Sequence, residues 1–177
     1  MMKIKHLVPL LVVFAITAFA PLSAQKTAYV DIEYILSKLP EYNNAQSELD
    51  KISVTWQKEI EAKIAEVDKM FKAYKDEEVL LTEDMKKKRQ NEIMMKEKEV
   101  KEMQKQRFGV DGDLFRKRQE MVKPIQDKVY NAIKKLCEKE QIMIMFNKAA
   151  DMNIVYSNPK FDKSDTVLDM VKAGDTK

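Results

Sequence analysis

Histidine, cysteine and glycine are almost missing from this chain, and each absence closes off a kind of chemistry. Among 177 residues there are one His, one Cys and three Gly. His6 sits in an apolar N-terminal stretch that reads as an export signal, so the mature chain has no histidine. That removes His-based triads, imidazole bases and His-containing metal sites. Cys137 has no partner for an intrachain disulfide. It lies beside Leu136 on a helical pattern, which reads as a small buried hydrophobe rather than a reactive thiol. Gly109, Gly112 and Gly174 build no phosphate loop of the GxxxxGK or GxGxxG type. Carboxylates are plentiful, but a chain that is 34% charged carries them on solvated helix faces. The residues point to no catalytic centre, no cofactor and no metal, and the expectation is that the protein is not an enzyme.

Lys3, Lys5 and His6 precede an apolar run from Leu7 to Phe19, too short to span a bilayer and the right length for a signal peptide. Cleavage after Ala20 would leave Pro21 directly behind the cut, so Ala24 is the expected site and Gln25 the mature N-terminus. A retained anchor is the competing reading. The signal also explains the charge. It holds two lysines and no acid, so of 32 basic and 29 acidic residues the mature chain keeps 30 and 29, a formal +1. Nucleic-acid binding needs a concentrated basic footprint, and none is expected here.

The mature chain opens with a short strand pattern, Thr27 to Val30, followed by Asp31 as an N-cap for IEYILSK. Pro40 suits the first turn of the next helix. From Glu41 to about Glu78 an apolar stripe runs in steps of three or four, through Tyr42, Ala45, Leu49, Ile52, Trp56, Ile60, Ile64, Val67, Phe71 and Tyr74. Three steps of four between Ile52 and Ile64 make a stutter in the heptad pattern. A continuous helix here would be roughly 55–60 Å long and would need a partner. That partner begins after an apolar tip, with Thr82 as N-cap, and returns to about Glu140. Ile93, Val100, Met103, Val110, Leu114 and Met121 mark its stripe, with Arg107 and Arg118 where an apolar residue is wanted.

Two defects interrupt the return. RFGVDGDLF brings Gly109 and Gly112 together, each costing about 1 kcal/mol against Ala in a helix interior. Pro124 removes a further hydrogen bond and is expected to kink the helix. These positions read either as tolerated irregularity or as a hinge. On the hinge reading, alanine at both glycines stiffens the hairpin. After Gln141 the pattern changes to IMIMF, Ile142 to Phe146, continuous as in a strand buried on both faces. NKAAD supplies a turn, and MNIVY, Met152 to Tyr156, reads as a second strand. Ser164 is expected to cap a last helix that Gly174 ends. The fold class is therefore α+β and mainly helical: an arm over residues 41–140 with its tip near 79–84, standing on a small discontinuous body from 25–40 and 141–177. So small a body buries too little surface to anchor such an arm alone, and self-association is the natural remedy.

The opening strand TAYVDIEYIL, the polar helical hairpin, VKPIQDKVYNAIKKLCEKEQIMIMF and the closing VYSNPKFDKSDTVLDMVK together resemble the OmpH/Skp family of periplasmic chaperones. The resemblance covers Gln25 to Ala173 and is most specific at Lys123–Val129 and Ile154–Val171. It implies a homotrimer whose strands close a β-barrel body, with three hairpin arms around a cavity that holds unfolded outer-membrane proteins without ATP. It also implies residence in the periplasm. Body residues on this reading are Tyr29, Val30, Ile142, Ile144, Phe146, Ile154 and Tyr156, and arm contacts to clients are Met70, Phe71, Tyr74, Val79, Leu80, Leu81, Met85, Met94, Met95 and Met103. Interrupted apolar arms supply many weak contacts at once, and methionine adapts to varied partners. Packing of the hairpin seam is the plainer role for any single Met. Met94 and Met95 are adjacent and cannot both face the seam centre. Family members are described as basic, with arm tips able to touch a membrane surface weakly. Here Lys86–Arg89 is ringed by Asp76, Glu77, Glu78, Glu83 and Asp84, and a solvated helix face competes with that contact. The rival function is an exported coiled-coil spacer that binds no client.

Overall fold

The computed structural model describes residues 26–150 and 154–174. The expected signal, 1–24, lies outside them, as do Met152 and Asn153 of the expected last strand.

Strand β1, Lys26–Val30, ends at Asp31, whose carboxylate accepts the Tyr34 amide at 2.8 Å and opens helix α1, Ile32–Ser37. Helix α2, Pro40–Glu77, starts on the proline that needs no N–H partner there. Its 38 residues extend about 57 Å. A single 3-10 turn, Glu78–Leu80, reverses the chain. Thr82 then caps helix α3, Glu83–Phe108, by accepting the Met85 amide at 3.4 Å. Glu83 and Asp84 fill its first turn, where the helix dipole favours acids.

The return is two helices. After Gly109–Gly112 the chain resumes as α4, Asp113–Glu140. Neither glycine has a positive φ; both are required by crowding. A Cβ on Gly109 would run into the Lys105 carbonyl oxygen, and one on Gly112 would stand 2.8 Å from the Gln106 carbonyl oxygen. Alanine at either position would therefore have to shift the backbone of the break. Val110, expected on the apolar stripe, projects into solvent from this break. Pro124 lies inside α4, which continues unbroken past it.

Gln141 takes a left-handed φ of 58° and turns the chain directly into strand β2, Ile142–Asn147. β2 pairs with β1 in parallel, Thr27 opposite Ile144 and Tyr29 opposite Phe146. A parallel pair needs a crossover, and here the whole arm is the crossover. The other edge of β1 meets the chain again at Asp162, and the Lys163 amide donates to the Tyr29 carbonyl at 2.9 Å. After a 3-10 turn, Pro159–Phe161, helix α5, Ser164–Lys172, closes the body, and Gly174 follows with φ 75°.

Three expectations need correction here. Ile154–Tyr156 is not a strand, because its backbone finds no ladder partner among the described residues. Within one chain IMIMF is not buried on both faces: Ile142 is buried and Met145 packs on the core, while Met143, Ile144 and Phe146 are exposed. Ser164 is the first residue of α5 rather than its cap. Its buried hydroxyl accepts the Asp31 amide at 2.8 Å and donates to Asp162 at 2.6 Å, tying the C-terminal segment to the end of β1.

The apolar interior is in two parts. The body core joins Val30, Ile35, Leu36, Leu49, Val129, Leu136 and Val167 with their neighbours on α1, α2, α4 and α5. A separate arm core holds Ile60, Val67 and Tyr74 from α2 against Ile93 and Val100 from α3.

Candidate functional site

The arm core is one residue deep, and its sequence spacing decides what stays outside it. Ile60, Val67 and Tyr74 recur every seven residues and face α3. Ile64 and Phe71, four places after a seam residue, turn onto the flank and stay exposed. Met94 and Phe108 reach the same flank from α3. Three shallow openings follow one another along it. One of about 470 Å³ lies by Ile64 and Phe108, one of about 340 Å³ between Ile64 and Val100, and one of about 260 Å³ between Phe71 and Met94. Ile60, Val67 and Ile93 contribute apolar walls, and Gln57, Glu97, Lys101 and Gln104 contribute polar ones. The ion pairs Lys63–Glu66, Lys75–Glu78 and Lys96–Glu99 join residues three apart in sequence and face solvent. This surface offers repeated weak apolar contacts and no group positioned for bond chemistry.

Tyr74 is the seam's polar stitch. Its hydroxyl donates to Glu78 at 3.0 Å and accepts from the Gln90 amide at 2.7 Å, joining α2 to α3. Lys75 first, then Tyr74, hold the Glu78 carboxyl below its ordinary pKa. Tyr74→Phe keeps the ring and removes the stitch, so arm stability should fall by about 1 kcal/mol. A urea midpoint unchanged from the wild type would show the hydroxyl to be as well satisfied by water.

Where the two cores part, Arg107 occupies the seam. Its guanidinium carbon lies 4.4 Å from the centre of the Trp56 ring, and its Nη1 donates to Asp113 at 2.8 Å. Phe108 meets the same indole edge-on at 6.4 Å. Arg116 also binds Asp113 and donates to the Asp111 carbonyl at 2.9 Å. Partial burial acts to raise the Asp113 carboxyl, but hydrogen bonds from Arg116 and Arg107 outweigh it and hold the group below its ordinary pKa. The stabilisation this carboxylate gives is in place above the ordinary aspartate pKa and is lost as pH falls through the lowered value.

The second unusual surface is on the body. Side chains alternate along β2, so Met145 turns to the helices while Ile144, 47% exposed, and Phe146, 44% exposed, face away. Phe146, Tyr29, Ile154, Tyr156 and Phe161 line a cavity of about 270 Å³ beside them. Tyr156 is 80% exposed and Val155 is almost fully so. Large apolar side chains are thus concentrated on one face of the body.

The sequence profile of the OmpH-like outer membrane protein family matches residues 26–171. The chain belongs to the OmpH-like family. Among solved structures, a candidate OmpH-like outer membrane chaperone from Caulobacter crescentus CB15 superposes with a TM-score of 0.67 at 13% identity, over 84% of each chain. At that identity the likeness establishes the fold: mainly helical, with a small two-stranded sheet. No curated protein matches the sequence.

In this OmpH-like chain the residues singled out from sequence divide by location. Phe71, Met94 and Met95 are exposed on the arm, and Val79, Leu80 and Met85 are exposed at its tip. Tyr74 is buried in the seam, and Met70, Leu81 and Met103 pack against the arm core. Tyr29, Val30 and Ile142 are buried within the body, whereas Ile144, Phe146 and Tyr156 are on its surface. At the tip, Lys86 pairs with Glu83 at 2.9 Å and Arg89 with Glu92 at 3.8 Å, which disperses the basic run. Burial raises the pKa of the half-buried Cys137 thiol, and Glu138 and Glu140 add to that, as suits an unreactive packing residue. The Trp56–Arg107–Asp113 cluster was visible in sequence only as an arginine out of place. Arg118, flagged with it, is exposed on α4, because the break resets the helix phase.

Proposed function

We propose that this OmpH-like protein is an ATP-independent holdase of the periplasm, reached through a signal peptide cut after Ala24. It acts as a homotrimer whose arms enclose unfolded outer-membrane proteins and keep them from aggregating. The observation that carries this reading is the separation of two exposed apolar surfaces. Ile144, Phe146 and Tyr156 lie on the body, and the Ile64–Phe71–Met94–Phe108 flank runs along the arm. A compact apolar patch suits permanent closure against copies of the chain. A long, shallow, polar-rimmed flank suits many weak, exchangeable contacts with an unfolded apolar segment. Three copies would also give Ile154–Tyr156 the ladder partner that it lacks in one chain.

The test is dilution of a denatured outer-membrane protein into buffer without ATP, followed by light scattering. Equimolar trimer should suppress the scattering. Phe71→Ser with Met94→Ser should raise the concentration needed for half suppression about tenfold, the equivalent of roughly 1.4 kcal/mol lost over the whole client complex. Absence of suppression by the wild-type protein would favour a structural spacer instead.

A further inference from the structure

We infer that Met94 and Met95 form an oxidation site, and that converting their thioethers to sulfoxides reversibly weakens the arm's hold on apolar segments. The effect on holding rests on the client-binding reading given above, whereas the site itself does not. Burial divides the sulfur atoms of this chain. Met70 and Met103 pack against the arm core, and Met121, Met145 and Met170 pack against the body core. Met85, Met94, Met95 and Met143 are exposed, and the first three belong to α3. Met94 and Met95 are adjacent and 60% and 63% exposed, while Ile93 just before them is buried in the seam. The helix turn that hides Ile93 therefore presents two thioethers side by side to solvent.

Access decides the reaction at a thioether. A thiol must ionise before it attacks a peroxide, and the half-buried Cys137 is poorly placed to do so. A thioether carries no proton, so its lone pair is ready at any pH. In the step itself, sulfur attacks one oxygen of a peroxide. The S–O bond forms as the O–O bond breaks, and the departing hydroxide takes the proton from the new hydroxyl on sulfur to become water. Sulfur gives up two electrons and the peroxide accepts them. Outside the cytosol such oxidants reach a protein without first meeting the cellular thiol pool.

Position gives the modification its consequence. Met94 and Phe71 line the same opening of about 260 Å³ on the arm flank. A sulfoxide there is polar and accepts hydrogen bonds strongly, so an apolar segment laid on it would strip away water and return no partner. The seam is untouched, because Met70 and Met103 are the packed thioethers of the arm. Oxidation thus changes what the flank can hold and leaves the hairpin folded. Sulfoxide is also reducible, which makes the change a switch rather than damage.

The test treats the whole protein with dilute hydrogen peroxide and maps the oxygen added at each methionine by peptide mass spectrometry. Met94 and Met95 should gain oxygen at least about fivefold faster than Met70 and Met103. Equal rates would overturn the site, whatever the protein binds. Once both positions are oxidised, the helical circular dichroism should be unchanged and the concentration for half suppression of client scattering should rise about fivefold. No rise would overturn the switch. Methionine sulfoxide reductases for both epimers, with dithiothreitol as reductant, should restore the starting value; the oxygen leaves as water and the dithiol closes to a disulfide. Met94→Leu with Met95→Leu removes the thioethers and keeps apolar side chains. Compared with its own value before peroxide, the half-suppression concentration of this variant should not move. A rise as large as in the wild type would overturn the assignment and put the effect at Met85 or Met143. An untreated wild type that suppresses no scattering would defeat the holdase reading alone, since the mapped rates still decide the site.

Discussion

An Ile144→Asp chain should be a helical monomer. Ile144 projects from β2 away from the helical core and is half exposed in the single chain, so a charge there costs the subunit little. The proposed trimer would bury that position three times over. Each copy would forgo about 2 kcal/mol of apolar burial and would instead strand a carboxylate in a dry interface, which costs several kcal/mol more. Sedimentation velocity should show a single-chain species at concentrations where the wild type is trimeric, with the far-ultraviolet helical signal retained. Val110→Asp, at an exposed site in the arm break, is the control that should remain trimeric. A trimer that survives Ile144→Asp would place the assembly surface elsewhere on the body.

Leu136→Ala should instead damage the subunit itself. Leu136 is 2% exposed and lies in the body core that also holds Val30, Leu49, Val129 and Val167. Truncating a buried leucine in a packed core costs about 3–4 kcal/mol, part transfer and part cavity. That is a large fraction of the stability of a domain this size. Urea denaturation should move to a much lower midpoint, whereas Val79→Ala, at a tip position 92% exposed, should move it hardly at all. Similar midpoints for the two variants would mean that the body core is not what holds the subunit together.

The sequence carried the helices well because helix rules are local. Asp31, Pro40 and Thr82 mark their boundaries by side-chain chemistry alone, and each caps or starts a helix where the pattern placed it. The division of the arm's apolar residues was not legible. Ile60 and Ile64 both lie on a stripe of period 3.6, and only the position of α3 makes one of them seam and the other flank. The strands failed for a related reason. A helix satisfies its backbone by itself, but a strand exists only with its ladder, and Ile154–Tyr156 have no ladder partner among the described residues. Ser164 carried a cap signature, yet a contact across the body, to the Asp31 amide, claimed its hydroxyl.

The parallel pairing of β1 with β2 also fixes an order of assembly. The N-terminal strand is made first, but the residues it joins come so late that Lys26 reaches the Glu140 carbonyl across a sequence separation of 114. Closing a flexible loop of that length is slow, because the chain must find a distant contact before any pairing rewards it. The hairpin removes the difficulty. It can zip from its tip through neighbouring turns, and once α2 and α4 lie side by side the two strands are delivered to each other. A newly made chain should therefore form its arm before its body, with the surface at Ile144 taking shape last.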